Sequence, residues 1–122
     1  MRKLTQTRLH NPPQRGNCLP TVIACFLDYE SAEDVLQIQE IYDKVEDWKS
    51  EWLEWLTEKG LDVGTLGGHV HDDSFYLVTG ISPRNPNINH VCIYQNGKLW
   101  HDPHPDQTGI INESYFQYVD VY

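Results

Sequence analysis

A change of hydrophobic periodicity at Gly60 divides the sequence into two halves of different character. Before it, Trp48, Trp52 and Trp55 recur on one face of a helix predicted over residues 46–59, and Gly60 is a typical helix stop. After it, short apolar runs alternate with turn residues, which is typical of strands. Helices followed by consecutive strands predict an α+β fold in which the helices pack on an antiparallel sheet.

A more apolar helix is predicted between Asn17 and Leu27. Asn17 is a favourable N-cap, and Pro20 falls in the first turn, where its missing N–H is not needed. Apolar residues form a broad stripe along this helix, so we expect it to be largely buried. The acidic stretch after Ser31 resembles a helix start and predicts a short helix through Ile38.

The second half contains five predicted strands. The run at 89–94 has the strongest strand pattern, and Asn96-Gly97 behind it predicts a tight turn into the next strand. The strands are assigned to residues 61–63, 75–78, 89–94, 98–102 and 115–119.

Length and composition limit the classes of protein that fit. The 122 residues predict one domain over residues 1–122, and the net charge of −9 argues against a nucleic-acid or membrane partner. No apolar run approaches the roughly 20 residues of a membrane span, and no signal peptide is recognisable, so we expect a cytoplasmic protein. Cys18, Cys25 and Cys92 are expected to be free thiols, the last two as buried apolar residues.

Cys18 differs from the other cysteines because it lies at the predicted start of a helix. The helix dipole and the free backbone N–H groups of the first turn favour a thiolate there. The same N–H groups can hold the oxyanion of a tetrahedral intermediate, and Gly16 would let a substrate approach the backbone. Cys18 is therefore a candidate nucleophile.

A nucleophilic thiolate needs a histidine partner, and that histidine needs an acceptor that fixes its orientation. His90 begins one strand and Asp102 ends the next one. A two-residue loop at Asn96-Gly97 would pair His90 with Pro103. A three-residue loop with a bulge would pair it with Asp102 and put the apolar residues of both strands on one face, so we predict the three-residue loop.

Three short motifs occur in the order Cys, His, Asp: residues 16–19 (GNCL), 90–94 (HVCIY) and 101–105 (HDPHP). Together they resemble those of small papain-like cysteine hydrolases. The resemblance is nearest to the leader-peptidase domains of bacteriocin exporters and to short bacteriophage proteins, and it covers roughly residues 5–110. It implies a papain-like fold and, for a bacteriophage protein, a place in the host cytoplasm.

The resemblance implies a role for each of three residues. Cys18 would be the nucleophile, His90 the general base and acid, and Asp102 the residue that orients His90. The reaction implied is hydrolysis or acyl transfer on a peptide, isopeptide or small amide bond through a thioester, with no cofactor. The acidic composition favours a cationic substrate.

The family also places a glutamine before the cysteine to complete the oxyanion hole. Gln6 resembles that residue with a longer intervening loop, while Gln14 and the side chain of Asn17 remain alternatives. Gly16, His104 and Trp100 are expected to line the substrate site.

Two further functions fit the sequence. One is an inactive acidic module that binds or inhibits a basic partner. A less favoured one is a metal-dependent hydrolase that uses His69 and His71, or the cluster at residues 101–106. The tryptophan-bearing helix is expected to serve the core, although it could also form an oligomer interface.

Overall fold

The computed structural model describes all 122 residues and confirms the α+β class. Two helices precede a sheet of five antiparallel strands, with two isolated 3-10 turns between the helices. The elements are α1 (Cys18–Phe26), the 3-10 turns Ala32–Asp34 and Ile38–Glu40, α2 (Trp48–Glu58), β1 (Leu61–Leu66), β2 (Phe75–Ser82), β3 (Asn85–Gln95), β4 (Lys98–His101) and β5 (Ile111–Val121). No helix combines the length and the apolar character that crossing a bilayer requires.

The strand order across the sheet is β1-β5-β2-β3-β4. All five predicted strands form, and four of them are longer than predicted. The last strand, β5, does not add to an edge but lies between β1 and β2 and pairs with both. Every pairing in the sheet is antiparallel.

Helix α1 forms the centre of the core, as its apolar stripe predicts. Val22 and Ile23 are completely buried and belong to the same apolar cluster as Leu77, Val91 and Ile93 of the sheet. A helix whose residues are almost all buried is fixed in position, and so is the residue at its first turn. This packing holds Cys18 against the β3 side of the sheet.

Helix α2 places its tryptophans partly as expected. Trp52 is 5 % exposed and packs in the main core, whereas Trp48 is half-buried with its ring 4.7 Å from that of Tyr42 in an edge-on contact. The helix gives way to β1 at Gly60, whose φ of +86° favours glycine. The tryptophan-bearing face of α2 therefore packs mainly against the core.

The short helix predicted after Ser31 does not form as a continuous helix. Gln37 donates hydrogen bonds to the carbonyls of Ala32 (2.7 Å) and Val35 (2.8 Å), which a continuous helix would use for its own N–H groups. Ser31 does begin the first turn, because its hydroxyl accepts from the N–H of Glu33 at 3.1 Å.

The hairpin between β3 and β4 differs from the predicted one. Gln95 pairs with Lys98, so only Asn96 and Gly97 form the loop, both with positive φ (52° and 75°). Positive φ at both loop residues is typical of the two-residue turn that matches the twist of the flanking strands. The predicted three-residue loop is therefore wrong.

A bulge does occur, but within β4 rather than at the loop. The pairing passes from Tyr94–Leu99 to Ile93–His101, which leaves Trp100 as the extra residue. Asp102 therefore follows a strand that has shifted by one residue, and it reaches His90 diagonally rather than as a direct cross-strand partner.

Candidate active site

Cys18 is the first residue of α1 and lies on the wall of a cavity of about 710 Å³. Its side chain is partly exposed, in contrast to the fully buried Cys25 and Cys92. Gly16 and His90 line the same cavity. The only cysteine that solvent reaches thus shares a cavity with the predicted histidine partner.

His90 is bound to Asp102 in the interior of the protein. The distance from Nε2 of His90 to Oδ1 of Asp102 is 2.6 Å, and the residues are 4 % and 1 % exposed. Asp102 does not reach the cavity, so the order from cavity to interior is Cys18, His90, Asp102. Because Nε2 is committed to Asp102, Nδ1 is the ring nitrogen left for a thiol.

Asp102 is held by more than the histidine. Its Oδ1 also accepts from the backbone N–H of His104 at 2.9 Å, and its Oδ2 accepts from that of Gly109 at 2.7 Å. Burial alone would raise the pKa of Asp102, but the hydrogen bonds from His90 and from these two N–H groups lower it to about 2. The carboxylate is therefore charged at neutral pH.

The charge of Asp102 changes the protonation of His90. Burial alone would lower the pKa of His90, but the interactions with Asp102, Cys18 and Cys92 outweigh it and raise the pKa above its usual value of 6.5. The imidazole is therefore readily protonated. An imidazolium next to Cys18 stabilises a thiolate.

Gln6 is the candidate oxyanion donor that the structure places in the cavity. A Cβ added at Gly16 would lie only 3.3 Å from Nε2 of Gln6, so glycine permits the close approach of the amide. The backbone N–H of Gln6 donates to the carbonyl of Pro103 at 2.8 Å, which ties the segment to the residue after Asp102. Nε2 of Gln6 donates one of its two hydrogens to the carbonyl of Arg8 at 3.1 Å, which leaves the other for a ligand, and Oε1 is buried without a partner.

Asn17 occupies the N-cap position but does not cap the helix through its side chain. Its Oδ1 accepts from the N–H of Arg8 at 3.0 Å, and its Nδ2 contacts Thr7, Glu33 and Gln37. The side chain is completely buried and its amide hydrogens are occupied, so it offers no donor to the cavity. Asn17 instead fastens the N-terminal segment to the helix start.

Gln14 and two residues expected at the substrate site differ in their relation to the cavity. Gln14 is exposed, donates to the carbonyl of Leu9 at 2.6 Å, and does not line the cavity. His104 does line it, as expected, with its ring 6.2 Å from that of His90. Trp100 does not: it packs on Phe75 at 4.6 Å, because the bulge turns it away from the site.

Neither of the predicted metal clusters assembles. His69 bonds Tyr76 at 2.8 Å and Glu113 at 3.0 Å, while His71 is exposed. In the second cluster, His101 bonds the carbonyl of Leu4 at 2.6 Å, away from Asp102. His104 does contact Asp106 at 3.0 Å, but neither cluster brings three ligand atoms together.

Cys92 is a component of the site that the sequence interpretation missed. Its thiol lies within 4.8 Å of the polar atoms of His90 and Asp102, and burial raises its pKa to about 11. The sequence did indicate this position, because residues two apart in a strand, such as His90 and Cys92, point to the same side. Cys92 is thus a neutral thiol packed beside the His90–Asp102 pair.

Comparisons of the chain with protein-family models, curated proteins and solved structures found no match.

Proposed function

We propose that the protein is a papain-like cysteine hydrolase or acyltransferase that acts on a peptide, isopeptide or small amide bond. The observation that carries this proposal is the position of His90, held at 2.6 Å by buried Asp102 and facing the cavity that contains Cys18. A cysteine at a helix start, packed on an antiparallel sheet that supplies the histidine, also supports the papain-like arrangement.

The reaction begins with the thiol proton of Cys18 on Nδ1 of His90, because Nε2 is bound to Asp102. The thiolate Sγ attacks the carbonyl carbon, the C–N bond breaks, and His90 gives its proton to the leaving amine. The thioester is then attacked by water in hydrolysis, or by an amine in acyl transfer. His90 takes a proton from the attacking group and returns it to the departing Cys18 sulfur.

Two donors are available for the oxyanion. The backbone N–H of Cys18 has no acceptor within the helix, because it belongs to the first turn. The amide of Gln6 lies beside Gly16 in the same cavity. Donors fixed before the reaction stabilise the developing charge without reorganisation.

The test is the rate of iodoacetamide labelling at each cysteine as a function of pH, with sites assigned by mass spectrometry. We expect rapid labelling of Cys18 at pH 6, where an ordinary thiol is almost wholly protonated. His90→Ala should slow it strongly, because the imidazolium that stabilises the thiolate is lost. Cys25 and Cys92 are internal references, because burial raises the pKa of both.

His71→Ala is the matched control, since it removes an exposed histidine outside the cavity and should leave the labelling unchanged. If Cys18 reacts no faster than a free thiol, or if both histidine variants behave alike, the protein is not a cysteine hydrolase. It would then be better interpreted as an acidic binding module.

A further inference from the structure

The walls of the cavity differ in charge from the rest of the protein. The chain carries 18 acidic residues, yet no Asp or Glu lines the cavity. Arg15, Arg84, His10 and His104 do line it. Each arginine also has an ion-pair partner outside the cavity lining, Asp43 for Arg15 at 2.7 Å and Asp106 for Arg84 at 2.9 Å. The side chains that face the cavity are nevertheless basic in a protein of net charge −9, which favours an anionic group there rather than the cationic substrate that the composition suggests.

Arg84 has the geometry of a carboxylate clamp. Its Nη1 alone makes its side-chain contacts, at 2.9 and 3.1 Å to Asp106 and at 3.2 Å to Thr108. The edge formed by Nε and Nη2 therefore has no protein partner. In Arg8 the same pair of nitrogens binds the two carboxylate oxygens of Glu33, at 3.1 and 2.7 Å. Arg8 thus provides an example of the bidentate contact that the free edge of Arg84 can make.

Arg84 is linked to His104, the neighbour of His90, through Asp106, whose Oδ1 lies 2.9 Å from Nη1 of Arg84 and 3.0 Å from Nδ1 of His104. Burial and the charge of Arg84 lower the pKa of His104, whose ring is 6.2 Å from that of His90. His104 is therefore neutral at pH 7, whereas the guanidinium keeps its charge. Arg84 supplies the permanent positive charge on this side of the cavity.

We propose, resting on the proposed function, that the substrate carries a carboxylate near the amide that Cys18 attacks, and that Nε and Nη2 of Arg84 bind this carboxylate. The carboxylate is either an acidic side chain or the free C-terminus of a peptide. One planar guanidinium edge fits both, because each presents two oxygens to it.

The first experiment compares two alkylating reagents that differ only in charge, iodoacetate and iodoacetamide. The ratio of their labelling rates at Cys18 reports how strongly the site attracts a carboxylate. Arg84→Gln should lower this ratio roughly threefold to tenfold, because a charge-assisted hydrogen bond is lost. Arg84→Lys should lower it less, because the charge remains while the planar edge is lost.

A variant with the opposite effect guards against misfolding as an explanation. Asp106→Asn removes the carboxylate that shares the guanidinium and should raise the ratio. Arg2→Gln removes the same charge outside the cavity and should leave the ratio unchanged. If the Arg84 and Asp106 variants both keep the parental ratio while Cys18 remains highly reactive, the inference is wrong and the proposed function stands.

A binding experiment tests Arg84 without depending on catalysis. Cys18→Ala protein is titrated with N-acetylglutamate α-amide, N-acetylglutamine and N-acetylglutamine α-amide, and the NMR signal of Arg84 Nε–H is followed. A shift with the first ligand alone assigns a side-chain carboxylate, and with the second alone a C-terminal one. Equal responses to all three, or none to any, would overturn the proposal even if Cys18 proves unreactive.

Discussion

At the scale of single residues, Asp102 shows how a buried carboxylate can fix the histidine beside it. Its two oxygens receive three hydrogen bonds, one from His90 and two from backbone N–H groups of the loop that follows. An acceptor held in this way keeps Nε2 of His90 fixed and leaves Nδ1 toward Cys18. In the proposed mechanism, the reactivity of Cys18 therefore depends on a residue that does not line the cavity.

The Asp102 interactions predict a specific pH dependence of stability. The pKa of Asp102 is lowered from 3.8 to about 2, so its stabilisation is present above pH 3.8 and is lost as the pH falls through 2. A shift of this size corresponds to roughly 2 kcal/mol. We expect Asp102→Asn to weaken the loss of stability between pH 4 and pH 2, measured by urea unfolding across that range.

His90 acts in the opposite direction. Its pKa is raised above 6.5, so its stabilisation is complete below pH 6.5 and declines as the pH rises toward the folded value. The contribution of the pair is therefore greatest between about pH 4 and 6.5. Asp73→Asn, which alters an exposed carboxylate, is the control, and an identical acid response of both variants would contradict the prediction.

The proposed role of Gln6 predicts that its removal affects two reactions of the Cys18 thiol differently. Acylation by p-nitrophenyl acetate passes through an oxyanion, whereas alkylation by iodoacetamide does not. We expect Gln6→Ala to slow acylation about 100-fold, because the proposed oxyanion donor is lost. Alkylation should change little, although the hydrogen bond from Gln6 to the carbonyl of Arg8 is also lost. Stopped-flow rates for both reagents measure this.

Gln14→Ala is the matched control, since Gln14 is exposed outside the cavity. An equal loss in both reactions of Gln6→Ala would mean that Gln6 positions the segment rather than the oxyanion.

The sequence predicted the residues of the site better than their surroundings. Cys18 and His90 share the cavity and Asp102 binds His90, as expected, although not through the predicted direct cross-strand pairing. The role of Asn17 could not be predicted, because its partners come from loops whose paths no local pattern determines. Arg84 lies in a turn that carries no recognisable motif.

At the scale of elements, the interior of β2 leaves no room for a side chain beside His90. Gly80 pairs with His90 across the β2–β3 ladder, and a Cβ there would lie 2.7 Å from the carbonyl of Ile111. That contact is with backbone, which cannot rotate away. Gly80 thus allows β5 to approach β2 closely next to the site.

Gly80→Ala should therefore destabilise the protein by about 1–3 kcal/mol, because β5 must move. The free energy of unfolding in urea measures this, and iodoacetamide labelling of Cys18 reports any displacement of His90. Gly67→Ala is the control, because a methyl group there would have no neighbour within 4 Å. Equal stability of the two variants would show that the strands adjust without cost.

Helices and strands could be predicted where apolar periodicity alone determines them, but not where two bulge positions fit the same sequence. Helix α1 and the strands follow from apolar periodicity alone. The hairpin was misassigned because the apolar pattern does not tell which strand carries the extra residue. The predicted loop would have paired His90 with Asp102, whereas the bulge inside β4 shifts the register the other way and pairs Ile93 with His101. Trp100 takes the extra position because its ring packs on Phe75, a tertiary contact that the strand pattern does not encode.

At the scale of the whole molecule, the site joins three distant parts of the chain. The N-terminal segment meets the end of β4 through His101, which bonds the carbonyl of Leu4 at 2.6 Å, and through the N–H of Gln6. Asn17 fastens the same segment to the start of α1. The cavity thus depends on contacts that only the complete fold provides.

Asn17→Ala should loosen this assembly. We expect a loss of roughly 2 kcal/mol, because the N–H of Arg8 and the groups around it lose buried partners. Urea unfolding measures the loss, and faster proteolysis within residues 1–15 locates it. Asn11→Ala, at an exposed position, should change neither; an intact N-terminal segment in Asn17→Ala would refute the fastening role.

The position of β5 has a consequence for how the protein is made. A ribosome releases the chain from its N-terminus at roughly 5–20 residues per second, so β1 and β2 emerge well before the strand that separates them in the sheet. Until β5 arrives, both expose unpaired edges in the crowded cell. The sheet beside His90 is therefore complete only after the last strand of the chain has been inserted between two strands made earlier.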